Sequence, residues 1–243
     1  MSDLRFTYGN LLLDFSSEKV LQDNCDYKYS VFYQKDEQSE LSILCDRYGS
    51  DKGEVKPFGH PYAWASHTYA DFYEGRFGHC RDHIKSVFEC GLGTNNPDLP
   101  SSMGVSGKPG ASLRVWRDYF PNAHIYGADI DEHILFDEER ISTFFMDQTS
   151  RGSIEALWSK LEVSEFDIMI DDGLHTFEAG VCLFENSFQK LRKHGFYIIE
   201  DVSGISMVNF RSYFSGKSHR VEFINMFRPN HPLGDNSLIV VRK

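Results

Sequence analysis

Five cysteines in 243 residues include no CxxC pair, so neither a thiolate zinc site nor a disulfide framework is suggested. Cys25, Cys45, Cys80, Cys90 and Cys182 are odd in number and scattered. A Lys/Arg-rich run is also missing. The 36 acids against 25 bases give a net charge of −11, so non-specific binding to phosphate backbones and a nucleic-acid partner are not expected. No stretch reaches about 18 apolar residues, and the start, MSDLRFTYGNLLLDF, has neither a basic n-region nor a long apolar h-region. The expectation is a cytoplasmic protein without a membrane partner. The histidines form no HExxH zinc motif. What is present is a globular composition, 41% hydrophobic with 14% aromatics.

The pattern divides the chain into an N-terminal extension, residues 1–83, and an α/β domain, residues 84–243. In the extension, YSVFYQ suits a short strand. SELSILCDRYG reads as a helix closed near Gly49, and HTYADFYEGRF as a helix with an aromatic face. After about residue 84, short apolar runs alternate with amphipathic segments, as in βαβ units. The runs are SVFECG (86–91), HIYGADI (124–130), STFFMD (142–147), FDIMIDD (166–172), FYIIEDV (196–202), RVEFINMF (220–227) and SLIVVRK (237–243). Helices are expected over 111–120, 153–161 and 176–195, the last with Lys and Arg in its final turn and Gly195 as its stop. The last two strands have no usable helix between them and are expected to pair antiparallel at a sheet edge. The expected fold is a Rossmann-like, seven-stranded, mostly parallel sheet with helices on both faces.

In such a sheet, ligands sit beyond the carboxyl ends of the strands, where strand order reverses. Here nearly every strand ends in acid: Glu89 before Gly91 and Gly93, Asp129, Asp147 with Gln148, Asp171 with Asp172, and Glu200 with Asp201. Like charges converging on one crevice repel each other unless a ligand neutralises or uses them. The glycines allow close backbone approach. Asn96 stands where a dinucleotide fingerprint has its third glycine, so no pyrophosphate cradle is implied. Asp129, with its neighbour Ile130, is placed to hold a ribose diol, which NAD and S-adenosylmethionine share. Glu89, the missing glycine and the acid-rich surroundings favour the cationic sulfonium. Asp147 and Gln148 suit an adenine edge. The 17-residue stretch TNNPDLPSSMGVSGKPG (94–110) follows the glycines and is either a surface insertion or a lid.

Asp172, Glu200 and Asp201 come from neighbouring strand ends and suit one hard divalent cation such as Mg²⁺. His175, in the turn after Asp172, is placed as a general base, although a helix start also uses such residues as caps. With a pre-activated methyl donor, an alcohol acceptor needs positioning and deprotonation, which this set supplies.

SDKG…HPYAWASHTYADFYEGRF, VFECGLG, GASLRVWRDYFPNAHIYGADID, MDQTS, FDIMIDDGLHTFEAG and GFYIIEDV together resemble the class I S-adenosylmethionine-dependent sugar O-methyltransferases of the macrolide type. The resemblance covers about residues 48–202. It implies Mg²⁺-assisted methylation of a sugar hydroxyl, metal ligands at Asp172, Glu200 and Asp201, and a base at His175. It also implies cofactor contacts at Glu89, Gly91, Asp129, Asp147 and Asp171, and equates Asp51-Lys52-Gly53 with the family's DKG motif, which adds Lys52 and Gly53 to the cofactor set. The segment 1–83 would then cover cofactor and substrate. The chain departs from the family in the 94–110 insertion, in Leu174 where a small Ser is common, and in having no large N-terminal domain within these residues. A phenolic or catechol-like acceptor is the alternative, since Phe58, Tyr62, Trp64, Tyr69, Phe72 and Tyr73 suit stacking on either a sugar face or a ring. A homo-oligomer is left open.

Overall fold

A computed structural model describes residues 5–8, 11–14, 39–56, 59–226 and 233–243. The YSVFYQ segment, Cys25 and Phe58 lie outside the described residues. The strands are β1 (Arg5–Tyr8), β2 (Leu11–Asp14), β3 (Ser86–Cys90), β4 (His124–Asp129), β5 (Asp137–Glu138), β6 (Ile141–Phe145), β7 (Phe166–Asp171), β8 (Leu191–Ile199), β9 (Arg220–Asn225) and β10 (Ser237–Arg242). The helices are α1 (Glu40–Tyr48), α2 (Tyr69–Phe77), α3 (Ala111–Tyr119), α4 (Arg151–Lys160), α5 (Phe177–Ser187) and α6 (Gly204–Phe214).

β1 and β2 form a hairpin. The main sheet has eight strands in the order β5-β6-β4-β3-β7-β8-β10-β9. It exceeds the expected seven by the two-residue β5, which folds back antiparallel on β6. β6, β4, β3, β7 and β8 run parallel, so their carboxyl ends share one rim. β10 is antiparallel to both β8 and β9, which gives the expected closing pair. From β3 the chain winds outward to β4 and β6; β7 and β8 lie on β3's other side. The order therefore reverses between β3 and β7, and the crevice opens there.

Alternation along the strands builds two cores. Val87, Ile125, Ile168, Ile198 and Val240 face α1, α2 and α3. Phe88, Ala128, Met169, Tyr197 and Ile239 face α4, α5 and α6. Leu41, Leu44, Phe72 and Tyr73 belong to the first of these cores, so α1, α2 and the sheet share one apolar interior.

α1 starts at Ser39, whose hydroxyl accepts the Ser42 N–H, and ends at Gly49 with φ 81°. The helix expected over 176–195 stops at Ser187 instead. Leu191 is fully buried opposite Phe166, and the Lys/Arg-rich tail belongs to β8. Gly195 serves strand packing rather than helix termination: a Cβ there would lie 2.9 Å from the Asp167 carbonyl oxygen. α6 was not expected, because exposed Ile205 and Val208 blur the helical stripe of Met207, Phe210 and Phe214.

Candidate active site

A cavity of about 530 Å³ opens at the carboxyl rim. One wall is the turn after β3. Gly91 (φ 94°) and Gly93 (φ 75°) both line it. A Cβ on Gly91 would stand 1.9 Å from the Asp172 carbonyl oxygen, so this glycine lets the β3 and β7 ends cross as well as opening the cavity. Asp129 lies beside them. Its Oδ2 accepts the Leu92 N–H at 2.7 Å and its Oδ1 the Asp131 N–H at 2.9 Å. Each oxygen keeps a further lone pair, and the two backbone bonds fix the carboxylate's orientation. Ile130, 47% exposed, and Met146 offer apolar surface in the same cavity. Asp147 lines it too, its Oδ1 accepting from Thr149.

Gln148 reaches this wall with its amide already engaged. Its Nε2 donates to Asp171 Oδ1 at 2.5 Å, and its Oε1 accepts the Leu174 N–H at 2.9 Å. It therefore clamps the turn that carries His175, with one amide N–H and one oxygen lone pair engaged. Gln148→Ala is expected to cost about 1–3 kcal/mol of stability in a thermal or urea melt, because the buried Asp171 carboxyl and the half-buried Leu174 N–H lose their bond. A change below about 0.5 kcal/mol, the scatter of ordinary surface substitutions, would contradict the clamp.

The opposite wall gathers Asp172, His175 and Asp201, with ligand-capable atoms all within 4.8 Å of one another. His175 Nε2 is 3.3 Å from Asp172 Oδ1, and its Nδ1 is 3.6 Å from Asp201 Oδ2. A second set, His67, Asp201 and Asp235, shares Asp201 with the first. His67 Nε2 is 3.4 Å from Asp201 Oδ1 and 3.3 Å from Asp235 Oδ1. Tyr69 Oη donates to Asp201 Oδ1 at 2.8 Å and accepts the Asp201 N–H at 3.1 Å. His175 (φ 59°) and Asp201 (φ 52°) are two of the five described non-glycine residues in the left-handed region, where such backbone strain concentrates at functional sites.

The electrostatics are those of crowded acids awaiting positive charge. Burial would lower both imidazoles, but the surrounding carboxylates prevail: Asp172 and Asp201 push His175 up to about 10, and Asp201 and Asp235 push His67 up to about 9. Burial acts to raise Asp172, yet the Lys52 ammonium and His175 hold it well below the usual carboxylate range.

The structure does not bring Glu200 into the cluster expected of it. Its fully buried carboxyl accepts from Tyr73 Oη at 2.5 Å and from Lys52 Nζ. Lys52 is itself buried and also contacts Asp172 Oδ2 at 2.6 Å and Glu89 Oε1 at 3.3 Å. Glu89 Oε2 accepts the Trp116 indole N–H at 2.5 Å. Glu89, Lys52 and Glu200 thus form an ionic layer beneath the cavity rather than its lining. Asp171 also lies beneath it, with Oδ2 lacking a hydrogen-bond partner and burial raising its carboxyl to about 6. Gly53 packs on α2: a Cβ there would lie 2.5 Å from the Ala70 Cβ. Of the residues expected to bind cofactor, Gly91, Asp129, Ile130, Asp147 and Gln148 line the cavity, and Glu89, Asp171, Lys52 and Gly53 do not.

Residues 99–103 of the 94–110 stretch line the cavity, so this segment covers the site. It is held by Asn95 Nδ2, which donates to the Gly104 and Gly107 carbonyls, and by Thr94 Oγ1, which donates to Asp131 Oδ2 at 2.5 Å. Sequence reasoning missed two contributors and gave two tyrosines another role. His67 was grouped with loop histidines, though its place just before the α2 aromatics was a signal. Asp235 was hidden in a turn-like PLGDNS segment. Tyr69 and Tyr73, expected to stack on an acceptor, are buried hydroxyl donors to Asp201 and Glu200, and Phe72 is core. Among the described aromatics expected to stack, Trp64 lines the cavity.

No protein-family model matches the chain. It is 34% identical over 162 residues to 8-demethyl-8-alpha-L-rhamnosyl tetracenomycin-C 2′-O-methyltransferase of Streptomyces olivaceus, covering 67% of this chain and 37% of the relative. It is 32% identical over 164 residues to mycinamicin VI 2″-O-methyltransferase of Micromonospora griseorubida, covering 67% of this chain and 36% of the relative. The chain thus spans well under half the length of these relatives. The MycE methyltransferase of the mycinamycin biosynthetic pathway, solved in complex with Mg, SAH and mycinamycin VI, superposes with a TM-score of 0.52 at 32% identity, over 67% of this chain and 39% of that one. Over two thirds of its length, therefore, this chain is similar to the rhamnosyl tetracenomycin-C and mycinamicin VI O-methyltransferases, and it shares the fold of MycE.

Proposed function

We propose that the protein is an S-adenosylmethionine-dependent, divalent-cation-assisted O-methyltransferase whose acceptor is a hydroxyl of a sugar. The observation that carries this reading is the pairing of two unlike walls in one cavity. One wall has a glycine turn, an oriented carboxylate and apolar surface; the other has carboxylates and imidazoles crowded within a few ångströms. Asp129 would take the ribose diol, and Ile130 and Met146 the adenine face. The donor set of the second wall is dominated by carboxylate oxygens, which suits Mg²⁺. Asp172 and Asp201 would hold it, with Asp235 in reach through the shared cluster. When bound, the cation would draw two vicinal hydroxyls into register and make them more acidic.

The chain's own residues do the rest. His175 stands between Asp172 and Asp201, whose charge holds it protonated; with a cation on those carboxylates it would be neutral and placed to receive the acceptor's proton. Lys52 and Tyr73 fix Glu200 behind Asp172, and Tyr69 fixes Asp201. Asp51, Trp64 and His67, together with residues 99–103, wall the cavity and would shield a bound sulfonium and the acceptor oxygen from water. The acceptor is a small molecule; the net charge of −11 gives a nucleic-acid backbone no foothold. Among the described residues, no helix is long and apolar enough to cross a membrane.

Calorimetric titration with S-adenosylhomocysteine tests the first wall. Wild type is expected to bind, and Asp129→Ala to bind about 10–100-fold more weakly, as expected when hydrogen bonds to a charged group are lost. Equal affinity in the variant, or preference for NAD, would overturn the cofactor assignment.

A further inference from the structure

The proposed function names a sugar as acceptor without saying what holds its ring. We infer that Trp64 and Asp51 form the sugar-binding platform of this cavity; the inference rests on the methyltransferase reading and assigns the acceptor subsite within it. Three rings at alternate positions build the platform. His60 stacks on Tyr62 at 4.1 Å between ring centroids and 3° between planes, and Tyr62 backs Trp64 at 5.5 Å. Tyr62 is anchored through Ser66 Oγ at 2.5 Å, which in turn donates to Glu54 Oε2 at 2.9 Å. Trp64 is the ring of the three that reaches the cavity. Its indole N–H donates to Asp51 Oδ2 at 2.7 Å, which fixes the ring by its polar edge.

This platform sits at the metal-binding end. Asp51 Oδ2 is 4.0 Å from His67 Nδ1, and His67 Nε2 is 3.4 Å from Asp201. The Asp51 carbonyl also accepts the His67 N–H at 2.8 Å, tying the two segments together. Asp129 belongs to the other wall, bonded to Leu92 and Asp131. A ring lying on Trp64 therefore has Asp51 at its edge and Asp201, Asp235 and His175 ahead of it.

The chemistry selects a polyhydroxylated ring. The C–H face of a pyranose is apolar and packs on an aromatic plane, while its hydroxyls donate to carboxylates along its edge. A flat phenol would cover the same indole but bring fewer hydroxyls to the free oxygens of Asp51 and Asp235, whose present partners are Trp64 and His67, and burying those oxygens unpaired is costly. Because the indole is already pinned, little side-chain freedom is lost on binding.

The test uses the full chain with S-adenosylhomocysteine and Mg²⁺, titrated with methyl α-L-rhamnopyranoside and with methyl α-D-glucopyranoside, catechol serving as the competing class. Trp116 and Trp158 are core residues, so Trp64 is the indole whose fluorescence should respond. The expected result is a saturable emission change with at least one glycoside, absent in Trp64→Phe. By calorimetry, glycoside affinity should fall at least ten-fold in Trp64→Ala and recover in part in Trp64→Phe, with S-adenosylhomocysteine affinity unchanged in both. No response to either glycoside, an equal affinity in Trp64→Ala, or a response to catechol alone would overturn the platform. Each of these leaves the methyltransferase reading standing as long as S-adenosylhomocysteine binds; failure of that binding in wild type overturns the reading itself.

Discussion

Lys52→Met is expected to lower stability by about 3–5 kcal/mol, the usual penalty for removing one partner of a buried ionic group. For a chain of this size that corresponds to roughly 6–20 °C in melting temperature. The side chain is 3% exposed and is the cation shared by Glu89, Asp172 and Glu200. Without it, two fully buried glutamates and an aspartate face each other uncompensated. Burial already pushes Glu89 up to about 7 and Glu200 up to about 8, with Lys52 pulling both down. A carboxyl whose folded-state pKa is raised binds its proton more tightly when folded. Its contribution is therefore full below the unfolded value, near 4.5, and is lost as pH rises through the folded value. Removing Lys52 raises those folded values further. The deficit of the variant should accordingly be small near pH 5 and widest above pH 8, whereas Lys52→Arg, which keeps the charge, should lose less. Melts across that range check both points. A deficit that does not change with pH would mean that packing, not charge, is what Lys52 supplies.

Turnover, not binding, is expected to collapse in His175→Asn. A positioned acid–base group typically contributes 10²–10⁴-fold, so methyl transfer should fall by about that factor. Affinity for S-adenosylhomocysteine should stay within about three-fold, because the imidazole's contacts run to Asp172 and Asp201 and not to Asp129 or the glycine turn. Asparagine is the informative substitute. His175 has φ 59°, a conformation that Asn tolerates and most residues do not, so the variant removes the ring without disturbing the turn. Single-turnover methylation of a glycoside acceptor, alongside a binding titration, separates the two effects. Activity within three-fold of wild type would remove His175 from the chemistry.

Much of the rim was legible in the sequence because it follows from topology. Parallel strands put their carboxyl ends on one side, so Asp129, Asp147, Asp172 and Asp201 had to meet once the βαβ pattern was recognised. The side-chain direction at each strand end was not legible. Glu200 and Asp201 are consecutive, yet one points down to Lys52 and Tyr73 and the other joins His175, a split set by the positive φ of Asp201. Lys52 is 120 residues from Asp172, and no local spacing signals such a contact. The Lys/Arg tail of residues 190–193 carried a helix-end signal, but Leu191 opposite Phe166 binds that stretch into β8, and tertiary pairing outweighs the local preference.

The central claim is that one rim accommodates an adenosyl ligand and a divalent cation on separate walls. Calorimetric titration of Mg²⁺ into the chain saturated with S-adenosylhomocysteine, for wild type and for Asp172→Asn/Asp201→Asn, tests it most directly. The account predicts saturable one-to-one Mg²⁺ binding in wild type and its loss in the double variant, with S-adenosylhomocysteine still bound. Undiminished Mg²⁺ binding in the double variant, or no Mg²⁺ binding in wild type, would contradict it.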